Sequence, residues 1–300
     1  MKRLIASFFV LTLAGCGAQQ PSTTQSITDG DYHGKKYYFG WGAAMAGDPS
    51  SMQNEVAYDV KHTADVFTKD IGGDYIGKQL TGHQNVNRAA IKAEWDRLTN
   101  TMLWNDMYLQ YSSGHGSESG LAVGVSYDDI RDAVLAMPAQ EKIILTMACH
   151  SGALVDSFNE RRSEWESYGI GGRTLFVMGS SPADENSATG PGRDNDEPSG
   201  PNGSAGSAFG HAVWKAIIGY ADGYNGGEKD GKVTLGEFID YTKFRTNEVG
   251  GHTPVMAGVY DRELVLVKVP SAEVIEALEA EGGTGLSDEK IQAVMDQFKP

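Results

Sequence analysis

Short apolar, β-prone runs alternate along this chain with stretches of helical spacing, and that alternation admits few folds. The run KKYYFGWGA, aromatic and closed by glycines, reads as a first strand. In EVAYDVKHTADVF, Val56, Val60, Ala64 and Phe67 recur at helical spacing. YIGKQL is a short strand, and NRAAIKAEWDRLTNTM is a helix with Asn87 as its N-cap and Ile91, Trp95 and Leu98 along one face. DMYLQY is the next strand. SYDD, at Ser126 to Asp129, forms a capping box that opens a helix running to Met137, KIILTM is a buried strand, and TLFVMG is one more. The order β-α-β-α-β-α-β predicts an α/β chain: a three-layer α/β/α sandwich on a mainly parallel sheet with helices on both faces.

After Ser181 the texture changes. Residues 182 to 207 are rich in Gly, Pro, Ser and Asp without apolar period and read as a long surface loop. AFGHAVWKAIIGY resumes as a helix, KVTLGEFIDYTKF reads as a small strand and a helix, and TPVMAGVYDRELVLVKV supplies edge strands. Residues 35–270 therefore form one predicted domain, and residues 271–300 a helical appendage of two short amphipathic segments.

The chain holds two cysteines, and the place of one limits the other. MKRLIASFFVLTLAGC places Lys2 and Arg3 before an apolar run from Leu4 to Leu13 that is too short to span a bilayer and is laid out as a secretory signal. It resembles a bacterial lipoprotein signal (residues 1–16), which implies lipid attachment at Cys16, a flexible tether over residues 17–34, and a place in the bacterial cell envelope on the periplasmic side of the outer membrane. A cleaved signal without lipid is the alternative. With Cys16 acylated, Cys149 has no partner for an intramolecular disulfide. The net charge of −15 offers no basic stripe for phosphates and argues against nucleic acid. No cofactor is expected, and the oligomeric state is not legible.

In open parallel sheets, ligands bind outside the carboxyl ends of the strands. MYLQYSSGHGS ends just past His115 and KIILTMACHSG just past Cys149, and the intervening helix has the length of a right-handed crossover that returns the second strand parallel to the first. Imidazole and thiol are thereby predicted at one edge. A thiol with an ordinary pKa of about 8.5 is only a few per cent ionised at neutral pH; a nearby imidazolium, or a helix N-terminus after HSG, raises the thiolate fraction. His115 can protonate a leaving amine, and the N–H groups of Gly116 and Cys149 can face a developing oxyanion. The competing readings are a buried, inert cysteine and a zinc site of Cys149, His150 and His115, which lacks a fourth ligand at a recognised spacing.

YSSGHGS followed by ACHSG is similar to the histidine and cysteine motifs of the caspase, metacaspase and legumain clan of cysteine peptidases, over residues 36 to 260. The resemblance implies a caspase-like fold and hydrolysis of a peptide or protein substrate, with His115 as general acid/base, Cys149 as nucleophile and Gly116 as an oxyanion donor. Met147 stands where many metacaspases and legumains carry an acidic residue. Asp59 matches the acidic position of the first helix and Asp184 or Glu185 lies near the pocket, so a basic substrate side chain is the leading expectation. A catalytically idle binding module and a thiol acyltransferase are the alternatives. GGEKDGK mimics a phosphate loop but has Val233 where a hydroxyl is needed. It also resembles a calcium loop, through Glu228, Asp230, Gly231 and Glu237, but Gly226 stands at its first ligand position; a structural turn is favoured and no metal is expected. The loop 182–207 is either an activation segment or an uncut solvated loop.

Overall fold

A computed structural model of the chain describes residues 34–68, 74–188 and 206–269. The expectations for the leader and Cys16, for the tether, for most of the loop 182–207 and for the tail 271–300 lie outside the described residues. No described helix is long and apolar enough to cross a membrane.

The predicted order is present: β1 (Lys36–Ala43), α1 (Ser50–Thr68), β2 (Ile76–Thr81), α2 (Arg88–Thr101) and β3 (Met107–Gly114). A small meander follows, β4 (Gly116–Ser117), β5 (Gly120–Leu121) and β6 (Val125–Ser126), whose strands are too short for an alternation to register in the sequence. Then come α3 (Tyr127–Ala136), β7 (Glu141–Met147), α4 (Gly152–Glu160), α5 (Arg162–Trp165) and β8 (Thr174–Gly179). The last part contains α6 (Ala208–Lys215), prolonged by a π-helical turn over Ala216–Tyr220, then β9 (Lys232–Thr234), α7 (Leu235–Gly250), β10 (Val255–Val259) and β11 (Val265–Lys268).

The main sheet has six strands in the order β10-β8-β7-β3-β1-β2. Every neighbouring pair is parallel except β10, which runs antiparallel to β8 at the edge. Of the two edge strands expected near the end of the domain, β11 leaves the main sheet and pairs antiparallel with β9.

Side-chain alternation along β1 sorts the two layers, because successive residues of a strand face opposite sides. Tyr37, Phe39 and Trp41 join Ile91, Trp95 and Leu98 of α2, Ile130 and Val134 of α3, and Leu154 and Phe158 of α4 in one core. Trp41 meets Trp95 edge-on at 6.4 Å between ring centroids. On the opposite side Tyr38 stacks on Phe67 of α1 at 5.5 Å, and Tyr111 of β3 on Phe209 of α6 at 6.4 Å. Each such burial is worth roughly 1.5–3 kcal/mol, enough to fix which helix lies on which face.

The helix starts follow local chemistry. Asn87 accepts the Ala90 N–H at 3.0 Å. The Ser126 hydroxyl accepts the Asp129 N–H while the Asp129 carboxylate accepts the Ser126 N–H, which is the reciprocal capping box the sequence predicts. A second capping box, Thr234 with Glu237, opens α7. Glu237 also accepts the Gly223 N–H at 2.8 Å, and Asp222 accepts the N–H groups of Asp230 and Gly231. The 226–237 loop is therefore a turn closed on its own backbone. Among the described residues no three His, Cys, Asp or Glu side chains gather as metal ligands.

Candidate active site at the ends of β3 and β7

The register of the central strands sets the site. Ser112 lies opposite Thr146 and Ser113 opposite Met147; His115 and Cys149 each follow two residues past that last pair. The strands stay in contact beyond their last hydrogen bonds. A Cβ on Gly116 would sit 2.4 Å from the Cys149 carbonyl oxygen and 2.7 Å from Ala148 Cβ, so only glycine lets the two backbones approach this closely.

The meander after His115 orients the next amide. The Ala122 N–H donates to the His115 carbonyl at 2.9 Å beside the Gly116–Leu121 pair. That flanking bond makes Gly116 and Leu121 a non-hydrogen-bonded pair of the antiparallel ladder, so the Gly116 N–H points away from β5.

His115 is 40% exposed at its side chain, and its Nε2 lies 2.9 Å from Asp48 Oδ2. Asp48 belongs to the turn between β1 and α1, where its N–H donates to the Met45 carbonyl at 3.0 Å and its backbone carbonyl accepts from Gln53. A carboxylate on one ring nitrogen fixes the tautomer and leaves Nδ1 as the nitrogen available to a reacting group. Cys149 is half-buried and unpaired, and no hydrogen bond joins its sulfur to the His115 ring among the described residues. Catalytic hydrogen bonds of unliganded enzymes are often long and tighten only around substrate.

The Cys149 turn is held from below. β7 passes through Ala148 and Cys149 into a turn in which His150 adopts φ +60°, a left-handed conformation that costs a non-glycine residue roughly 1–2 kcal/mol. The compensation comes from residues past β8. The His150 N–H donates to the Glu185 carbonyl, and His150 Nδ1–H to the Ala183 carbonyl, each at 2.8 Å. The Ala148 carbonyl accepts from the hydroxyls of Ser187 at 2.8 Å, Ser180 at 3.2 Å and Ser181 at 3.4 Å, and the Ser181 N–H donates to Ser151 Oγ at 3.2 Å. Helix α4 starts at Gly152, three residues past Cys149, and its first turn is closed onto the thiol-bearing turn by the Ala153 N–H on the His150 carbonyl at 3.0 Å and the Leu154 N–H on the Ser151 carbonyl at 3.1 Å. His150 faces this support, and among the described residues no three His, Cys, Asp or Glu side chains gather there.

The two acidic residues expected at the substrate pocket have different surroundings. Asp59 is 3% exposed. It accepts the Ser207 N–H at 2.9 Å, the Ser207 hydroxyl at 2.6 Å and the Ser113 hydroxyl at 3.1 Å. Burial raises its pKa in spite of those donors. It ties α1 to the end of β3 and to the N-cap of α6, since Ser207 Oγ in turn accepts the Gly210 N–H at 2.8 Å. Asp184 is exposed, between the two residues whose carbonyls hold His150.

Asp48, the buried serines and His252, which braces the same support, were beyond sequence reasoning. Asp48 lies 67 residues from His115 in a turn of ordinary composition, and nothing local marks it as a partner.

No family model matches the chain, and no curated protein matches it. Solved structures do match. Caspase-1 from Spodoptera frugiperda aligns with a TM-score of 0.51 at 10% identity, over 79% of this chain and 92% of that one. The protein GSU0716 from Geobacter sulfurreducens aligns with a TM-score of 0.48 at 14% identity, over 79% of this chain and 98% of that one. The first likeness, with the six mostly parallel strands between two helical layers, makes this a caspase-like α/β sandwich. At this identity the likeness is one of fold alone.

Proposed function

We propose that this chain is a cysteine endopeptidase, anchored in the bacterial envelope by lipid on Cys16, that cleaves peptide bonds through His115 and Cys149. The observation that carries the reading is the register of β3 against β7, whose last pair, Ser113 and Met147, stands two residues before His115 and two before the Cys149 thiol, with Asp48 on Nε2 of the His115 ring.

In this mechanism the Cys149 thiolate attacks the peptide carbonyl carbon. The carbonyl electrons move onto oxygen, where the Gly116 and Cys149 N–H groups receive the negative charge. As the tetrahedral species collapses, the C–N bond breaks and protonated His115 gives its proton to the leaving amine. A thioester remains. His115, now neutral, takes a proton from water as the water oxygen attacks the thioester carbon, and the thiolate leaves. Exposed Asp184 flanks the site and suits a basic substrate side chain; Asp59, buried with its oxygens occupied, holds Ser113 at the end of β3 and Ser207 at the start of α6.

A partner-binding module on the same fold is the second reading, favoured by the lack of a hydrogen bond between the His115 ring and the Cys149 sulfur. An acyloxymethyl-ketone peptide with a basic terminal residue separates the two. The peptidase reading expects covalent labelling at Cys149 that slows by about 10²-fold or more in His115→Ala. Labelling no faster than that of a small free thiol, and indifferent to His115, would leave the binding module.

A further inference from the structure

His252 lies in the short link between α7 and β10 and is 5% exposed. Its two ring nitrogens are both engaged, and in opposite senses. Nδ1–H donates to the Ser180 carbonyl at 2.7 Å, and Nε2 accepts the Ala188 N–H at 2.9 Å. Only the neutral ring protonated on Nδ1 satisfies both, because a backbone N–H can only donate and a carbonyl can only accept.

Those contacts lie at the two ends of one segment, Ser180 to Ala188. The same segment bears on the Cys149 turn at three residues: the hydroxyls of Ser180, Ser181 and Ser187 on the Ala148 carbonyl, the Glu185 and Ala183 carbonyls on His150, and the Ser181 N–H on Ser151. The strained His150 conformation depends on these bonds, and the thiol stands one residue before it.

We propose that neutral His252 is the positioning residue of the site: by bracing Ser180 and Ala188 together it keeps the 180–188 strap against the Cys149 turn, and its protonation releases the strap and disarms the thiol. A proton on Nε2 sets two donors against each other where Ala188 is now held. The bond is lost, and the strap is freed at its Ala188 end.

The charged group whose field His252 feels is the Glu185 carboxylate, which favours protonation, as does the bond to the Ser180 carbonyl. Burial opposes both and wins, so the ring protonates below the ordinary histidine range. The strap also carries the exposed Asp184 carboxylate, and the other imidazole in contact with it is His150, through Nδ1–H on the Ala183 carbonyl. The site is therefore armed at neutral pH and released on acidification.

The inference rests on Cys149 being the nucleophile, and two readouts keep the claims apart. Hydrogen exchange of the full chain, corrected for intrinsic pH dependence, follows the amides of Ser181 to Ala188 between pH 4.5 and 8, while iodoacetamide alkylation follows Cys149 over the same range. Wild type is expected to lose protection of the strap on acidification, with alkylation falling roughly fivefold further than thiolate titration requires, the equivalent of one hydrogen bond. In His252→Gln, whose amide oxygen can accept but takes no proton, both changes disappear. Strap protection that does not change with pH in wild type, or an acid step retained in His252→Gln, overturns the role of His252; the wild-type exchange decides even if the variant does not fold. An acid step in exchange alongside a thiol inert at pH 8 overturns the link to the thiol and, separately, the peptidase reading.

Discussion

Lys142 is the second residue of β7, fully buried, with no hydrogen-bond acceptor reaching its Nζ among the described residues. Its nearest favourable contact is the Tyr168 ring, 5.6 Å from Nζ to the centroid. Burial, with a smaller contribution from the Arg173 charge, pushes its pKa down from 10.5 to about 7. At roughly 1.4 kcal/mol per tenfold change in the proton equilibrium, that gap corresponds to about 5 kcal/mol against folding wherever the amine is charged in both states. Local relaxation and water entry reduce such penalties, so Lys142→Met, which keeps length and removes the charge, is expected to stabilise the fold by about 2–3 kcal/mol at pH 6. For a domain of this size that is a rise of roughly 5–10 °C in Tm. The sign of the pH dependence follows from linkage. Between about 7 and 10.5 the unfolded chain holds a proton that the folded chain has released, so wild type gains stability as pH rises through that window and the advantage of the variant shrinks. Thermal unfolding followed by circular dichroism at pH 6, 8 and 10 checks this. A variant less stable than wild type at pH 6, or one with the same advantage at pH 6 and pH 10, would refute the reasoning.

Two further outcomes bear on the site. Asp48→Asn keeps the turn but removes the carboxylate beside His115 Nε2, and acylation by the peptide probe is expected to slow by roughly 10- to 100-fold with Tm unchanged; labelling at the wild-type rate would remove Asp48 from the mechanism. Gly116→Ala forces a methyl to within 2.4 Å of the Cys149 carbonyl oxygen, so the strand ends must part. The expected cost is about 1–3 kcal/mol of stability, read by urea unfolding, together with loss of labelling.

Particular elements explain what was legible. The strands and helices around the central sheet announce themselves because burial on one or both faces leaves a period in the sequence, as in Val56, Val60 and Ala64 of α1 or the continuous apolar run of β7. The starts of α2 and α3 were readable because an N-cap is a contact between residues three apart. From those elements and the handedness of crossovers alone, the ends of β3 and β7 come to one edge, and His115 with Cys149 follows. The β4-β5-β6 meander was not readable, since two-residue strands have no alternation. Nor was the departure of β11 to pair with β9, which depends on where α7 leaves the chain in space.

The order of elements, the mainly parallel sheet and the arrival of His115 and Cys149 just past the ends of two neighbouring strands thus lie in the amino-acid sequence itself, because apolar periodicity and local caps are properties of neighbours along the chain. The orienting carboxylate of Asp48, the serine hydroxyls on the Ala148 carbonyl, the engaged oxygens of Asp59 and the brace of His252 belong to the tertiary structure. Each is a hydrogen bond between segments distant in sequence, specific in direction and without period, so it exists only once packing has brought donor and acceptor within about 3 Å.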